Sequence, residues 1–245
     1  MAEIAITCLG SGSALGEGRM WSSLLLDEQT LLSLPPTTIP QLYRLGKDPT
    51  AIDRIFISHR HADHFFGLPF FLLLYLYRYT RDTPLFIIGP AGMEEATARL
   101  CDIAWSDPDI MEKLAQRARL SFVEIEEEGE HRAGGIAFEA VQMDHFGMDA
   151  YGYRITHKGR KIAFTGDTKA CLQLDRLIDG ADIVITEFTH AVPTDDPGHM
   201  DVDAVKLLTA RVRQQGGIVL ATHLSEAPAP IEGLLLCRDG ETYLV

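Results

Sequence analysis

Short apolar stretches rich in aliphatic and β-branched residues recur along the chain and predict strands. In the first half these stretches are AEIAITCLG, SSLLLD, AIDRIFISH and PLFIIGP. In the second half they are LSFVEIEE, IAFEAVQMDH, AYGYRITHKG, RKIAFTGD, ADIVITEF and GGIVLATH. Helical patterns lie between some of them, so the chain alternates between the two kinds of element. The acidic stretch EIEEEGE, at the end of one predicted strand, is expected to be a solvated hairpin tip.

Apolar residues three or four positions apart predict three amphipathic helices, in AGMEEATARLCDIAW, DPDIMEKLAQRAR and DVDAVKLLTARVRQQ, the last closed by Gly216 and Gly217. The longest apolar run, FFGLPFFLLLYLY, contains Gly67 and Pro69 and has only about a dozen residues, too few for a membrane span. It predicts a buried helix. The overlapping segment LPFFLLLYLYRY also suits the surface of a homodimer, although a place in the core is favoured.

Composition narrows the class of protein. No linker-like stretch divides the 245 residues, so a single domain over 1–245 is expected. The N-terminus has no basic region of the secretory type, and a cytoplasmic location is predicted. A net charge of −13 argues against general attraction to nucleic acid or to an anionic membrane. The four cysteines have no CxxC spacing, which favours free thiols and argues against a thiolate zinc site: Cys8, Cys101, Cys171 and Cys237.

Acidic and imidazole side chains follow the predicted strands at the point where each strand ends. The densest group is HRHADH at 59–64, directly after the strand that ends in IFIS. The residues that follow strands in this way include His59, Asp144, His145, Asp167, Glu187 and His223. Because strand ends present side chains to a shared cleft, we expect these groups to meet. Imidazole and carboxylate groups are ligands for zinc, iron and manganese, so a metal site is predicted.

These motifs resemble those of the metallo-β-lactamase fold. HRHADH matches the HxHxDH signature of that family, and DHFG, FTGDT and ATHLS follow in the family's order. The strings LGSGSA, GDTKAC and THLS are most similar to the ribonuclease Z branch, which also contains small phosphodiesterases. The resemblance extends from Leu9 to about Ser225. It implies an α/β fold, a four-layer αββα sandwich with the metals at one edge between two sheets.

The resemblance also implies a dinuclear metal centre and a hydrolase. The implied ligands are His59, His61 and His145 for one ion, Asp63, His64 and His223 for the other, and Asp167 as a bridge between them. Two divalent ions are expected, Zn²⁺ first, with Mn²⁺ or Fe as alternatives. A hydroxide between two such ions is a strong nucleophile near neutral pH, and Asp63 can take a proton from the water that forms it.

Three departures from the ribonuclease Z pattern affect the site. In TEFTH, Thr186 stands where that branch has a histidine, while Glu187 is kept and is expected to orient a ligand imidazole. GHMD partly matches the family's His-Ser-Thr loop and places His199 where a general acid is expected. SLPPTT at 33–38 lacks the family's Asp-x-Gly, which leaves a contact behind a ligand unassigned.

The spacing between two of the implied ligands bears on the substrate. His145 and Asp167 are 22 positions apart, which leaves room for one hairpin and none for the long arm with which ribonuclease Z grips transfer RNA. A compact phosphodiesterase for a small-molecule or short nucleotide substrate is therefore favoured over one for transfer RNA, and no membrane partner is expected. Ribonuclease Z-type processing without the arm and hydrolysis of a thioester or lactone stay open. A non-enzymatic metal-binding protein is the last alternative.

Overall fold

The computed structural model describes residues 3–245. Seven helices are present in this part of the chain: α1 Thr38–Arg44, α2 Ala62–Phe65, α3 Leu68–Tyr77, α4 Met93–Trp105, α5 Ile110–Ala118, α6 Leu172–Ile178 and α7 Val202–Gln214. The first six strands are β1 Ala5–Gly10, β2 Ser23–Leu26, β3 Thr30–Leu32, β4 Arg54–Phe56, β5 Leu85–Pro90 and β6 Leu120–Ile125. The other eight are β7 Gly129–Ala133, β8 Ile136–Gln142, β9 Tyr151–His157, β10 Arg160–Phe164, β11 Ile183–Glu187, β12 Ile218–Thr222, β13 Leu234–Leu236 and β14 Thr242–Leu244.

The strands form two mixed sheets of seven strands each. The first has the order β14-β1-β2-β3-β4-β5-β6 and is parallel from β3 to β6. The second has the order β13-β12-β11-β10-β9-β8-β7 and is parallel from β10 to β13. Helices α4 and α5 pack on the parallel strands β5 and β6, and α7 packs on the parallel strand β12, as parallel pairing with crossover helices requires. Helix α1 packs on β1, and α6 packs on the antiparallel strands β8 and β9.

Alternate residues of the central strands fill different apolar layers. In β11, Ile183 and Ile185 lie in the core between the two sheets, whereas Val184 packs on the opposite face beneath α6 and α7. In β4, Phe56 points into the same central core and Ile55 points toward the helices of the first sheet. Burial of a side chain of this size stabilises the fold by about 1.5–3 kcal/mol. The result is the αββα sandwich that the family resemblance implied.

The ends of the strands from both sheets meet at one edge of the sandwich. Strand β4 ends at Phe56, just before the HRHADH segment, and in the second sheet β8, β10, β11 and β12 end on the same side. The loops that follow these strands therefore share one edge, which places the polar residues predicted for strand ends near one another.

The structure corrects the prediction for EIEEEGE. Strand β6 belongs to the first sheet and β7 to the second, so residues 126–128 cross between sheets and do not form a hairpin tip. The carboxylate of Glu124 accepts hydrogen bonds from the backbone N–H groups of Gly92 and Glu94. Glu128 accepts one from the N–H of Gln142. These acidic residues satisfy backbone donors as well as facing water.

The long apolar run forms helix α3, as predicted. Phe71, Leu72 and Tyr75 are fully buried, while 47% of Phe70 and 73% of Tyr77 is exposed. The helix thus contributes mainly to the core, and its exposed side stays available for the predicted dimer surface. Within residues 3–245, no helix is both long enough and apolar enough to span a bilayer.

Candidate metal centre

The HRHADH segment leaves the first sheet and folds directly against the edge of the sandwich. His59 follows β4 and is fully buried, and α2 begins one residue after His61. Asp63 and His64 lie in this single helical turn and are 8% and 1% exposed. A short turn of helix places consecutive residues on different sides, which lets Asp63 and His64 approach a common point from two directions.

The second sheet supplies the remaining predicted ligands. His145 follows β8, Asp167 follows β10 and His223 follows β12, and all three are at least 96% buried. His223 has a φ of 58°, a backbone conformation that is uncommon for a residue with a side chain. Such strain at the end of a core strand is typical of residues held in place by a functional site.

The structure brings all seven side chains into one cluster. The ligand atoms lie within 4.8 Å of one another in each of two separate groups, His59 with His61 and His145, and Asp63 with His64 and His223. Asp167 lies between these groups. Its Oδ2 atom is 3.8 Å from His59 Nε2 on one side, and 3.1 Å and 3.2 Å from the Nε2 atoms of His64 and His223 on the other.

Four of the five imidazoles are anchored from behind by a protein oxygen, so that Nε2 faces the cluster. The anchoring contacts to Nδ1 are Ser58 Oγ for His59 at 3.0 Å, Ser33 Oγ for His64 at 3.0 Å, Gly198 O for His145 at 2.8 Å and Thr189 Oγ1 for His223 at 2.9 Å. His61 has the opposite orientation, with Nδ1 3.2 Å from His145 Nε2. A contact behind each imidazole is the usual arrangement around a metal.

The donor atoms fit divalent metal ions. His59 Nε2 and His64 Nε2 are buried and make no hydrogen bond within the described part of the chain. Buried polar nitrogens normally have a bonding partner, so two unpaired nitrogens that face the same point indicate a binding site for another group. A cation suits both nitrogens and the nearby carboxylates, and the set of five imidazoles and two carboxylates is chemically suited to zinc, manganese or iron.

Burial and neighbouring charges shift the pKa values in the cluster in opposite directions. Burial, followed by the charge on His64, holds the pKa of His59 well below its ordinary value. Burial and the neighbouring imidazoles likewise lower the pKa values of His61 and His145. Burial acts in the same sense on His64, but the Asp167 and Asp63 carboxylates outweigh it and raise its pKa to about 10. The first group of imidazoles is thereby favoured in the neutral form that binds metals.

His199 and Glu187 form a hydrogen-bonded pair beside the cluster. His199 Nδ1 lies 3.0 Å from Glu187 Oε1, and the His199 ring centroid is 4.9 Å from that of His145. Burial lowers the pKa of His199, but the hydrogen bond and charge of Glu187 outweigh it and raise the pKa to about 9. Glu187 is only 1% exposed, and hydrogen bonds through the Thr189 hydroxyl connect it to His223, one of the predicted ligands. Ligand atoms of Glu187, His199 and His223 lie within 4.8 Å of one another.

Asp144 is the strand-end residue that does not join the cluster. Its carboxylate pairs with Lys169 Nζ at 2.8 Å, and its side chain is 42% exposed. Asp144 lies one position before His145, and successive residues at the end of a strand point to opposite faces. The expectation that every acidic strand-end residue meets the others is therefore wrong for Asp144.

Sequence reasoning missed the anchoring residues Ser33, Ser58 and Thr189. Ser33 stands in the segment that lacks the family's Asp-x-Gly, and it supplies the contact behind His64 that the sequence left unassigned. Its φ of 63° orients it for this role, and no local pattern in SLPPTT indicates that conformation. The sequence indicates Thr189 only weakly, because the residue lies two positions after Glu187, which was predicted to orient a ligand imidazole.

Comparison with known proteins is consistent with this geometry. A family model described as a beta-lactamase superfamily domain matches residues 28–224. Ribonuclease Z of Latilactobacillus sakei is 25% identical over 256 aligned residues, which cover 82% of this chain and 79% of the relative. Ribonuclease Z of Staphylococcus haemolyticus is 34% identical over 115 residues, or 46% of this chain. The chain spans only 32% of the length of that relative and 42% of ribonuclease Z from Oceanobacillus iheyensis.

Solved structures share the architecture over nearly the whole chain. A diphosphatase of the PhnP family has a TM-score of 0.73 and 21% identity, and covers 98% of this chain and 97% of its own. The short form of human tRNase Z also has a TM-score of 0.73, with 22% identity and 98% coverage of both chains. The metallo-β-lactamase fold protein YhfI of Bacillus subtilis has a TM-score of 0.74 with 17% identity and full coverage of both chains. The chain therefore belongs to the beta-lactamase superfamily and has the metallo-β-lactamase fold.

Proposed function

We propose that the chain is a metal-dependent hydrolase with two divalent cations, and that phosphodiesters are its substrates. The observation that carries the proposal is the cluster of two ligand groups around Asp167, with two buried imidazole nitrogens that lack a hydrogen bond. One cation would be held by His59, His61 and His145, the other by Asp63, His64 and His223, and both would contact Asp167. Two bound cations supply charge for the attacked group and lower the pKa of a water molecule.

Asp63 is proposed to orient the attacking water. Burial acts to raise the pKa of Asp63, but the adjacent His223 and His64 imidazoles, whose Nε2 atoms lie 3.3 Å and 3.4 Å from Asp63 Oδ2, hold the pKa well below its ordinary value. The carboxylate is therefore ionised at neutral pH and accepts a hydrogen bond from a water beside it. A group of such low pKa holds a transferred proton only briefly, so positioning of the water is its main contribution.

His199 is proposed to protonate the leaving group. Its Nδ1 is occupied by Glu187, which leaves Nε2 as the nitrogen that donates. With a pKa of about 9, the imidazole carries its proton at neutral pH. The alkoxide expelled from a phosphodiester is a poor leaving group, and a proton delivered as the bond breaks lowers the barrier.

A small phosphodiester suits the surroundings of the site better than transfer RNA. The curated relatives are named ribonuclease Z, which supports cleavage of a phosphodiester bond. The hairpin from β9 to β10 turns on two residues, Lys158 and Gly159, so it forms no RNA-binding arm. The net charge of −13 also disfavours a polyanionic substrate. RNA processing is the second candidate function, supported by the matches to ribonuclease Z.

A substrate screen tests the proposal and separates the alternatives. Protein purified without chelator is assayed with bis(p-nitrophenyl) phosphate, a thioester, a lactone and a precursor transfer RNA, each with and without EDTA. We expect EDTA-sensitive turnover of the phosphodiester, and faster turnover of it than of the other substrates. Preferential cleavage of the thioester or lactone would overturn the substrate assignment, and activity that survives exhaustive metal removal would overturn the role of the cations.

The leaving group distinguishes the proposed role of His199 from a structural one. For a phosphodiester with an alkyl leaving group, His199→Ala should lower kcat by about 100-fold or more, within the range for a general acid. With p-nitrophenolate, which leaves without a proton, the loss should be much smaller. Asp144→Ala is a matched control, because Asp144 is close in sequence to His145 but pairs with Lys169 outside the cluster. Equal losses with both leaving groups would contradict proton donation by His199.

A further inference from the structure

The hydroxyl of Thr189 lies between a carboxylate and one of the proposed ligands. Thr189 is 6% exposed, and its Oγ1 is 2.5 Å from Glu187 Oε2 and 2.9 Å from His223 Nδ1. Both distances are within hydrogen-bond range, so the hydroxyl contacts both groups at once. The residue lies two positions after the end of β11, and its position is fixed by a further hydrogen bond from its own N–H to Glu187 Oε2.

The direction of these two hydrogen bonds follows from the donors around Glu187. Its carboxylate accepts from the backbone N–H groups of Thr168, Thr189 and Met200, and its Oε1 lies 3.0 Å from His199 Nδ1. The three backbone groups can only donate, which is the environment of a carboxylate that acts as an acceptor. The single proton of the Thr189 hydroxyl therefore points to Glu187. The oxygen is left as an acceptor and faces two imidazole nitrogens, His223 Nδ1 at 2.9 Å and His199 Nδ1 at 3.2 Å. His199 Nδ1 also has Glu187 Oε1 at 3.0 Å, whereas within the described residues the Thr189 hydroxyl is the one hydrogen-bond partner of His223 Nδ1.

We propose that Thr189 is a positioning residue that holds His223 as the tautomer protonated on Nδ1. A neutral imidazole carries one proton, so a proton on Nδ1 leaves the lone pair of Nε2 directed into the cluster. Nε2 lies 3.2 Å from Asp167 Oδ2 and 3.3 Å from Asp63 Oδ2, which is the side on which the proposed cation binds. This inference rests on the proposed dinuclear centre.

The serine anchors differ from Thr189 in one physical respect. Ser58 Oγ contacts His59 Nδ1 and Ser33 Oγ contacts His64 Nδ1, both at 3.0 Å. Within residues 3–245, neither serine hydroxyl has a second hydrogen-bond partner. Each is therefore free to rotate and either donate or accept, so it does not select a tautomer. Ser58 provides a matched control for the hydroxyl of Thr189.

Zinc binding to the whole chain tests the proposal independently of activity. Zinc is titrated against a competing chelator for the wild type, Thr189→Val, Thr189→Ser and Ser58→Ala. We expect Thr189→Val to lower the affinity for one of the two zinc ions by about 10–100-fold, the usual effect of losing a hydrogen bond to a ligand imidazole. The other ion should bind as before, because the His59, His61 and His145 group does not contact Thr189. Thr189→Ser should restore the affinity, and Ser58→Ala should have a smaller effect than Thr189→Val.

Nuclear magnetic resonance of the histidine rings gives a second readout on the zinc-loaded protein. In the wild type, His223 should show a proton on Nδ1 that exchanges slowly with water, and zinc on Nε2. In Thr189→Val that proton should exchange much faster, because its acceptor is gone. Thr189→Ala serves as a second hydroxyl-free variant should the valine variant fold poorly, and both should behave alike.

Three results would overturn the role of Thr189: unchanged zinc affinity in Thr189→Val and Thr189→Ala, equal weakening of both ions, or a wild-type His223 that binds zinc through Nδ1. Failure of Thr189→Ser to restore the affinity would also contradict it. A wild-type protein that binds no zinc, manganese or iron would instead refute the proposed function itself. The two failures are thus distinguishable in one series of titrations.

Discussion

Gly166 allows the loop that carries Asp167, in the second sheet, to lie close to the loop that carries Ser58, in the first sheet. Its replacement by alanine should lower both the stability of the protein and its affinity for zinc. The residue directly precedes Asp167 and has a φ of 59°, in the left-handed region that favours glycine. A Cβ atom at this position would lie 2.4 Å from Ser58 Cβ and 2.9 Å from Ser58 Oγ. Real Cβ atoms do not approach so closely, so the Asp167 loop and the Ser58 loop must move apart.

The expected cost of Gly166→Ala has two parts. The left-handed backbone costs about 1–2 kcal/mol for a residue with a Cβ atom, and overpacking of a close contact costs about 1–3 kcal/mol more. The free energy of unfolding should therefore fall by about 2–5 kcal/mol. Gly180→Ala is the matched control, since Gly180 has a φ of 67° and a Cβ atom added there would have nothing within 4 Å. This control should lose only the backbone part, about 1–2 kcal/mol.

Denaturant unfolding with excess EDTA measures this difference without a contribution from bound metal. Zinc titration of the same variants then reports the centre, because Ser58 Oγ holds Nδ1 of His59 at 3.0 Å. We expect weaker zinc binding in Gly166→Ala and unchanged binding in Gly180→Ala. Equal stability losses in the two variants would refute the close-contact argument. A large stability loss with wild-type zinc affinity would refute the link from Gly166 to the ligands.

Three other predictions follow from single features. Asp167→Ala should weaken both zinc ions, because Asp167 Oδ2 lies near nitrogens of both ligand groups; loss of only one ion in elemental analysis would contradict the shared position. Thiol titration should find four free groups after denaturation without reductant, and one fast-reacting group, Cys171, in the native protein, since the other three cysteines are buried. Asp201→Ala should destabilise the protein by about 0.5–2 kcal/mol at neutral pH, because Asp201 accepts hydrogen bonds from two N–H groups at the start of α7. Burial acts to raise the pKa of Asp201, but its hydrogen bonds hold it below 3.8, so its contribution is present above that pH and is lost as pH falls through the lower folded-state value. In urea unfolding, the difference in the free energy of unfolding between wild type and Asp201→Ala should become smaller in acid. A difference that becomes larger in acid would contradict the assignment.

Local sequence patterns were sufficient to predict most of the central strands and the longer helices. Strands such as β11 and β12 are continuous apolar runs because both faces are buried, and their ends are marked by the first polar residues. Helices α4, α5 and α7 carry the expected amphipathic spacing. The short elements β3, β7, β13, β14, α1, α2 and α6 were missed, because each has too few residues to show a period.

The division into two sheets was beyond the reach of local pattern and depended on family resemblance. Residues 126–128 show why: an acidic turn between two strands has the same appearance whether the strands pair or belong to different sheets. Asp144 shows the same limit at the site. It has the sequence signature of its neighbours at strand ends, but its side chain points to Lys169 and away from the cluster. Which face a side chain takes at a strand end depends on the loop that follows.

Contacts between the sheets explain why the cluster depends on the whole fold. The loop that carries His59 leaves the first sheet, yet its backbone is held by the second: the Tyr153 hydroxyl donates to the carbonyl of Ile57 at 2.8 Å, and the N–H of Tyr151 donates to the carbonyl of Ser58 at 2.9 Å. Tyr153 is fully buried, so its hydrogen bond forms only when the central core is closed. Because these contacts join residues more than 90 positions apart, no short motif specifies them. HRHADH supplies ligand types, and the packing of the two sheets supplies their geometry.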